Sequence, residues 1–179
     1  MLDAAGRLRD ATQVPSPNCD ERPAGVTIDL LVVHSISLPP QVYGGNEIID
    51  LFLNRLDPAG HPFFASLLGL RVSAHFLIRR DGGLVQFVPC AKRAWHAGVS
   101  NFQGRERCND FSIGVELEGS DADRFEMAQY RRLAQLTHAL RRRYPLDHIA
   151  GHAEIAPGRK TDPGPFFDWA RYRSAITRR

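Results

Sequence analysis

Apolar positions along the chain come in short bursts of two periods, and those bursts define the elements. Ile28 to Val33 is almost continuously apolar and rich in β-branched side chains, which predicts a strand buried on both faces, and a histidine, His34, closes it. Val72 to Pro89 reads as a hairpin. Val72, Ala74, Phe76 and Ile78 share one face, Ser73, His75 and Leu77 share the other, and Arg79-Arg-Asp-Gly-Gly83 supplies the turn back into Leu84-Val-Gln-Phe-Val88. Ser112 to Glu118 alternates in the same way, with Ile113, Val115 and Leu117 opposite Gly114, Glu116 and Glu118, so both carboxylates project from one face. Ile149-Ala150 is a further short strand.

Elsewhere the period becomes helical. Asn46 can cap a helix whose apolar positions Ile48, Ile49, Phe52, Leu53 and Leu56 recur at three-to-four spacing before Pro58. A longer one spans roughly 123–144, with Tyr130, Leu133, Leu136 and Leu140 as its stripe and Pro145 as its stop. Asp168 can cap a last helix on which Trp169, Tyr172 and Ile176 share a face. Strands and helices mixed in this order predict an α/β fold with one mixed central β-sheet flanked by helices. Residues 1–25, broken by Pro15, Pro17 and Pro23, read as an irregular N-terminal arm laid over a single domain that spans 1–179.

Composition narrows the setting. At 179 residues and 43% hydrophobic, the chain suits one core. No run approaches the roughly 18–20 apolar residues of a membrane helix, and charges occupy the N-terminal positions where a secretory signal is apolar, so a cytoplasmic protein without membrane contact is expected. Cys19, Cys90 and Cys108 are odd in number and lack C-x-x-C spacing, which fits reduced thiols. The formal charge of +3 changes little. Arg141-Arg-Arg143 ends a helix and Arg178-Arg179 is a frayed tail, neither is interleaved with aromatics, and no nucleic-acid partner is expected.

Chemistry concentrates in Gly151-His-Ala-Glu-Ile-Ala-Pro-Gly-Arg-Lys-Thr-Asp-Pro-Gly-Pro165. It holds an imidazole, two carboxylates, two cations, three prolines and three glycines with little to pack, which marks a shaped surface loop. His152 and Asp162 together with His34 make a three-ligand set for a catalytic zinc that keeps its fourth position open. Taken singly, each histidine reads more readily as structural; the combination carries the metal reading. Glu116 is either a solvated charge or the general base of such a site. Lys160 is either a surface cation or the group that stabilises an oxyanion. His75 and His96 stay open between orienting a ligand, replacing one, and plain packing; the favoured placement has His75 behind the ligands and the Trp95-His96 pair on substrate. Arg71, Arg105 and Arg107 are surface charges or, beside a metal, contacts to an anionic peptide. His61, His138 and His148 have no evident partners.

Six blocks in order, Val-Val-His34-Ser, Ser73-Ala-His75-Phe-Leu-Ile, Ala94-Trp-His96-Ala-Gly, Ser112-Ile-Gly-Val-Glu116-Leu, Gly151-His152 and Gly158-Arg-Lys160-Thr-Asp162-Pro-Gly-Pro, resemble the zinc-dependent N-acetylmuramoyl-L-alanine amidases, the amidase_2 family. That family also includes peptidoglycan recognition proteins. The resemblance covers about 28–176. Aspartate rather than cysteine at 162, the long 98–110 loop and the lack of a leader place the chain nearest the cytoplasmic members. The resemblance implies one zinc ion held by His34, His152 and Asp162, with Glu116 and Lys160 as catalytic partners. It implies hydrolysis of the lactyl–L-alanine amide of 1,6-anhydro-N-acetylmuramoyl peptides during peptidoglycan recycling, which indirectly limits β-lactamase induction. Substrate contacts are expected from Arg71, Trp95, His96 and Arg107, and a monomer is expected. Two rival readings stand beside it: a periplasmic or secreted lytic amidase on intact murein, disfavoured by the missing leader, and a non-catalytic peptidoglycan-binding module. Such modules typically lack a zinc ligand, whereas all three are present.

Overall fold

The structure is a computed structural model and describes residues 1–177, so Arg178 and Arg179 lie outside the described residues. In chain order the first elements are β1 (Thr12–Gln13), β2 (Cys19–Glu21), β3 (Leu30–Ile36), α1 (Glu47–Phe52), β4 (Phe76–Ile78), β5 (Leu84–Gln86) and β6 (Lys92–Ala94). They are followed by β7 (Asn101–Phe102), β8 (Arg105–Glu106), β9 (Ser112–Glu118), α2 (Met127–Arg141), β10 (His148–Gly151), α3 (His152–Ile155) and α4 (Trp169–Thr177). The main sheet runs β1-β5-β4-β9-β3-β10. Within it only the β4–β5 hairpin is antiparallel, so the sheet is mixed.

The apolar run of β3 is explained by its position. Parallel neighbours flank it and both faces are covered, which leaves Leu30 to Val33 with no exposed surface. On one face Leu31, Val33, Phe76, Ile113 and Val115 pack with the α2 stripe of Leu133, Leu136 and Leu140 and with Tyr172 of α4. Burying side chains of this size contributes roughly 1.5–3 kcal/mol each. On the other face Leu77 and Phe87 meet Ile48, Leu51 and Phe52 of α1, while Leu30 and Val32 meet Ala97, Cys108, Phe111 and Ile155. Glu126 and Gln129 cap α2 reciprocally, with the Glu126 N–H donating to Gln129 Oε1 at 2.9 Å.

Several boundaries differ from the pattern. β3 continues through His34 to Ile36 because β9 pairs with it as far as Glu118. α1 stops at Phe52, short of Leu56, where Asn54 turns left-handed at φ 60°. Ala74 packs with Leu77 rather than with Phe76 and Ile78, since the ladder starts only at Phe76 and period-two alternation holds only inside it. The N-terminal arm is more than an irregular cover. β1 adds an edge strand parallel to β5, β2 pairs with β6, and the Arg22 guanidinium donates to the carbonyls of Cys90, Asn109, Asp110 and Ser112. The 98–110 loop is structured by the β7–β8 ribbon. No helix among the described residues is long and apolar enough to cross a membrane.

Register is what this fold contributes to chemistry. His34 pairs with Glu116, and Val33 pairs with Gly151, the residue before His152. Three parallel strands therefore deliver His34, Glu116 and His152 to one level toward their carboxyl ends, where open α/β sheets place their sites.

Candidate metal centre

His34 Nδ1 lies 3.0 Å from His152 Nδ1 and 3.2 Å from Asp162 Oδ2, and His152 Nδ1 lies 3.1 Å from the same oxygen. A tetrahedral ion with bonds of about 2.0–2.1 Å has ligand–ligand edges of roughly 3.3–3.4 Å. The three atoms thus outline one slightly contracted face of that tetrahedron, and two imidazole nitrogens with one carboxylate oxygen are a donor set that suits zinc. Protonation agrees. Burial pulls the His34 pKa down to about 4. Burial acts upward on Asp162, but the two imidazoles packed against it, His152 and His34, outweigh that and hold the carboxyl well below the usual range. A deprotonated carboxylate and a neutral imidazole are the ligating forms.

The shaped loop puts Asp162 there through its backbone. Asp162 carbonyl accepts from Ala153 N–H at 2.9 Å, which ties the ligand to the first turn after His152, and Thr161 Oγ1 donates to Asp121. Glu154 folds back to accept from Gly151 N–H at 2.6 Å. Arg159 Nη2 donates to the carbonyls of Ala97 and Val99, both at 2.6 Å, so this cation braces the 98–110 loop.

The two carboxylates of β9 have different lives. Glu118 accepts from Gly44 N–H, Arg80 N–H and Arg79 Nη1 at 2.8–3.1 Å and is structural. Glu116 is only 9% exposed, and its Oε2 has no hydrogen-bond partner among the described residues. Burial first, then the Asp162 charge, raises its pKa well above the ordinary value, while Lys160 works in the opposite direction. Glu116, Lys160 and the three ligand residues line one cavity of about 290 Å³, walled by Leu38, Phe63 and Leu70. A buried, unpartnered carboxylate in such a cavity is suited to holding and releasing a proton.

The remaining site candidates distribute unevenly. His96, expected on substrate, packs edge-on against His34 at 5.0 Å between ring centroids and places Nδ1 2.9 Å from His34 Nε2. His75, expected behind the ligands, sits a layer deeper: its Nδ1 accepts from Gly114 N–H at 3.0 Å and its Nε2 faces Arg22 and the Lys92 carbonyl. Burial, then the Arg22 charge, takes its pKa down to about 3. The place behind a ligand, expected of His75, is thus taken by His96, which also lines the cavity and whose ring has room there because Gly114 lacks a side chain. Trp95 does not line the cavity; its indole helps to hold Asp20 below the usual carboxylate range, after Arg93. Arg71 is exposed between Leu70 and Val72, both cavity-lining, and pairs with no acid among the described residues. Arg107 is exposed, with Nε 3.3 Å from Asp110, beside Arg159 in a neighbouring groove. Arg105 is structural: it forks onto Asp29 at 2.9 and 3.0 Å and stacks on Phe111.

Alternation places Gly114 on the Glu116 face without giving it a role, although a glycine inside an alternating strand signals close approach. A Cβ there would lie 2.5 Å from His96 Cγ. Gly114→Ala is expected to displace the ring behind His34, costing roughly 1–3 kcal/mol of stability by overpacking and about 10–100-fold in metal affinity. Thermal melting and chelator competition check both.

Comparisons with known proteins show the family and the fold. Residues 24–165 match the N-acetylmuramoyl-L-alanine amidase family. The chain is 59% identical to the 1,6-anhydro-N-acetylmuramyl-L-alanine amidase AmpD of Citrobacter freundii, over 99% of this chain and 96% of that one. A crystal structure of a selenomethionine AmpD derivative superposes with a TM-score of 0.96 at 58% identity, covering 98% of this chain and 99% of that one. The Escherichia coli amidase AmiD, solved as a complex with the substrate anhydro-N-acetylmuramic acid-L-Ala-D-γ-Glu-L-Lys, superposes with a TM-score of 0.61 at 28% identity, covering 88% of this chain and 65% of that one.

Proposed function

The chain belongs to the N-acetylmuramoyl-L-alanine amidase family, and on that premise we propose that it hydrolyses the lactyl–L-alanine amide of 1,6-anhydro-N-acetylmuramoyl peptides in peptidoglycan recycling. The observation that carries the reading is the convergence of His34, His152 and Asp162 on one point, with the unpartnered Glu116 in the same cavity. Two of the proteins it is similar to point the same way: the Citrobacter freundii AmpD is a 1,6-anhydro-N-acetylmuramyl-L-alanine amidase, and AmiD was solved with an anhydro-N-acetylmuramic acid peptide. The three cysteines are free, which fits the reducing cytoplasm as the site of action.

In this reading His34, His152 and Asp162 hold one zinc ion. When bound, the ion supplies Lewis-acid activation of the attacking water and the scissile carbonyl. Glu116 accepts a proton from the water as its oxygen adds to the carbonyl carbon, then returns that proton to the departing amide nitrogen of L-alanine. Its raised pKa lets it hold the proton between the two steps. Lys160, on the rim of the cavity, places an ammonium beside the oxygen that gains negative charge. Arg71 and Arg107, exposed on the flanks, meet the carboxylates of the stem peptide.

Mass spectrometry of products from an anhydromuramoyl tripeptide tests the reaction. The expected products are the free tripeptide and anhydro-N-acetylmuramic acid, with activity lost on chelation and restored by zinc, and intact sacculi left uncut. Cleavage indifferent to chelator, or preferential cutting of sacculi, would overturn the proposal.

A further inference from the structure

A histidine ligand must present a lone pair to its metal, so the proton on its other nitrogen has to be held in place. For His152 this is simple: Nε2 lies 3.1 Å from the carbonyl of Ala97, which can only accept, so Nε2 carries the proton and Nδ1 is free. For His34 the group behind the ring is another imidazole. His34 Nε2 faces His96 Nδ1 at 2.9 Å, and His96 Nε2 faces Ser112 Oγ at 3.2 Å. Imidazole and hydroxyl can each donate or accept, so neither contact alone fixes a direction.

Direction comes from the far end. Ser112 Oγ lies 2.6 Å from the Cys108 carbonyl oxygen. Two acceptor oxygens at that separation repel unless a proton lies between them, so the single hydroxyl proton is committed to Cys108. Ser112 Oγ then offers only lone pairs to His96, whose Nε2 must be the protonated nitrogen. A neutral ring has one N–H, and His96, buried between the His34 imidazole and the Ser112 hydroxyl, meets no charged partner among the described residues at either nitrogen that would hold a second proton. His96 Nδ1 is therefore an acceptor, and His34 must donate to it from Nε2.

We propose that Ser112 and His96 form a one-way hydrogen-bond relay, anchored on the Cys108 carbonyl, that sets the tautomer of His34 and leaves its Nδ1 free to ligate. Both are positioning residues for the metal ligand. The surrounding fold maintains the relay: Asn109 Oδ1 accepts from the backbone N–H groups of His96 and Ala97 at 3.1 and 2.8 Å. Arg22 Nη2 donates to the Ser112 carbonyl at 2.8 Å, and Gly114 leaves room for the His96 ring. Asn109 thus aligns the supports of both ligands, since Ala97 holds His152 and His96 holds His34. The asymmetry has a chemical consequence. His152 relies on a backbone acceptor no side-chain substitution can delete, whereas His34 relies on a hydroxyl that one substitution removes.

The inference rests on the three-ligand reading, so its test is made where the two can fail separately. Long-range proton–nitrogen NMR of imidazoles in the full-length chain, zinc-loaded and after chelation, reads the tautomers directly. Both His34 and His96 are expected as single Nε2–H tautomers, in the zinc-free protein as well. A Nδ1–H tautomer at His96, or at His34 in the zinc-free chain, overturns the relay even if zinc binds and the enzyme turns over. In Ser112→Ala, His96 is expected to lose its single-tautomer signature and zinc affinity to fall about 10–100-fold by chelator competition. An unchanged His96 spectrum with zinc affinity within about twofold of the parent would equally contradict it.

Discussion

Asp162→Ala is expected to remove the metal and the activity together. Two imidazoles remain after the substitution, both anchored from behind, but the anionic ligand and its short contacts to each ring are gone. The loss should be specific to the site, because the loop is fixed by the Asp162 backbone carbonyl to Ala153, by Arg159 to Ala97 and Val99, and by Thr161 to Asp121, none of which uses the deleted carboxylate. Lewis-acid activation is worth several kcal/mol. At 1.36 kcal/mol per tenfold, turnover should drop by roughly a thousandfold or more. Metal analysis of the purified variant checks the first half and product release the second. A variant that keeps full zinc occupancy would remove Asp162 from the ligand set.

Glu116→Gln should separate the two properties that Asp162→Ala removes at once. The amide has nearly the same shape and touches none of the ligand atoms, so zinc is expected to stay bound. Turnover should fall by about 10²–10⁴-fold, the usual contribution of a positioned acid–base group. Stability should not fall, since Glu116 Oε2 has no partner among the described residues to lose. At Glu118 the same change takes an acceptor from Gly44, Arg80 and Arg79 and should destabilise by roughly 1.5–3 kcal/mol, without a role in the chemistry. A Glu116→Gln enzyme with near-normal rate would end the general-base assignment.

The contrast between these glutamates shows what could be read along the chain. Alternation correctly put Gly114, Glu116 and Glu118 on one face, but nothing local told which carboxylate would be met by donors. That depended on Gly44 and Arg79, brought in from segments distant in sequence. The strand ending near His34 and the proline-bounded loop around His152 were legible because a buried parallel strand and a shaped loop each leave a strong local pattern. The place of His96 behind His34 was not. His96 lies in a loop with no periodicity to orient it, and its ring reaches His34 only because Gly114 lacks a side chain. The N-terminal arm is more ordered than its proline pattern suggests, for a related reason. Its prolines suppress long strands, yet the two- and three-residue strands β1 and β2 still pair, and Arg22 finds four carbonyls that no nearby residue supplies.

The central claim is that His34 Nδ1, His152 Nδ1 and an Asp162 carboxylate oxygen share one metal ion. Anomalous diffraction at the zinc edge from crystals of the zinc-loaded chain addresses it most directly. The account predicts a single strong peak bonded to those two nitrogens at about 2.0–2.1 Å and to the carboxylate at about 2.0–2.2 Å. A fully active enzyme whose zinc peak lies on other residues, or one that shows no peak there at all, would contradict it.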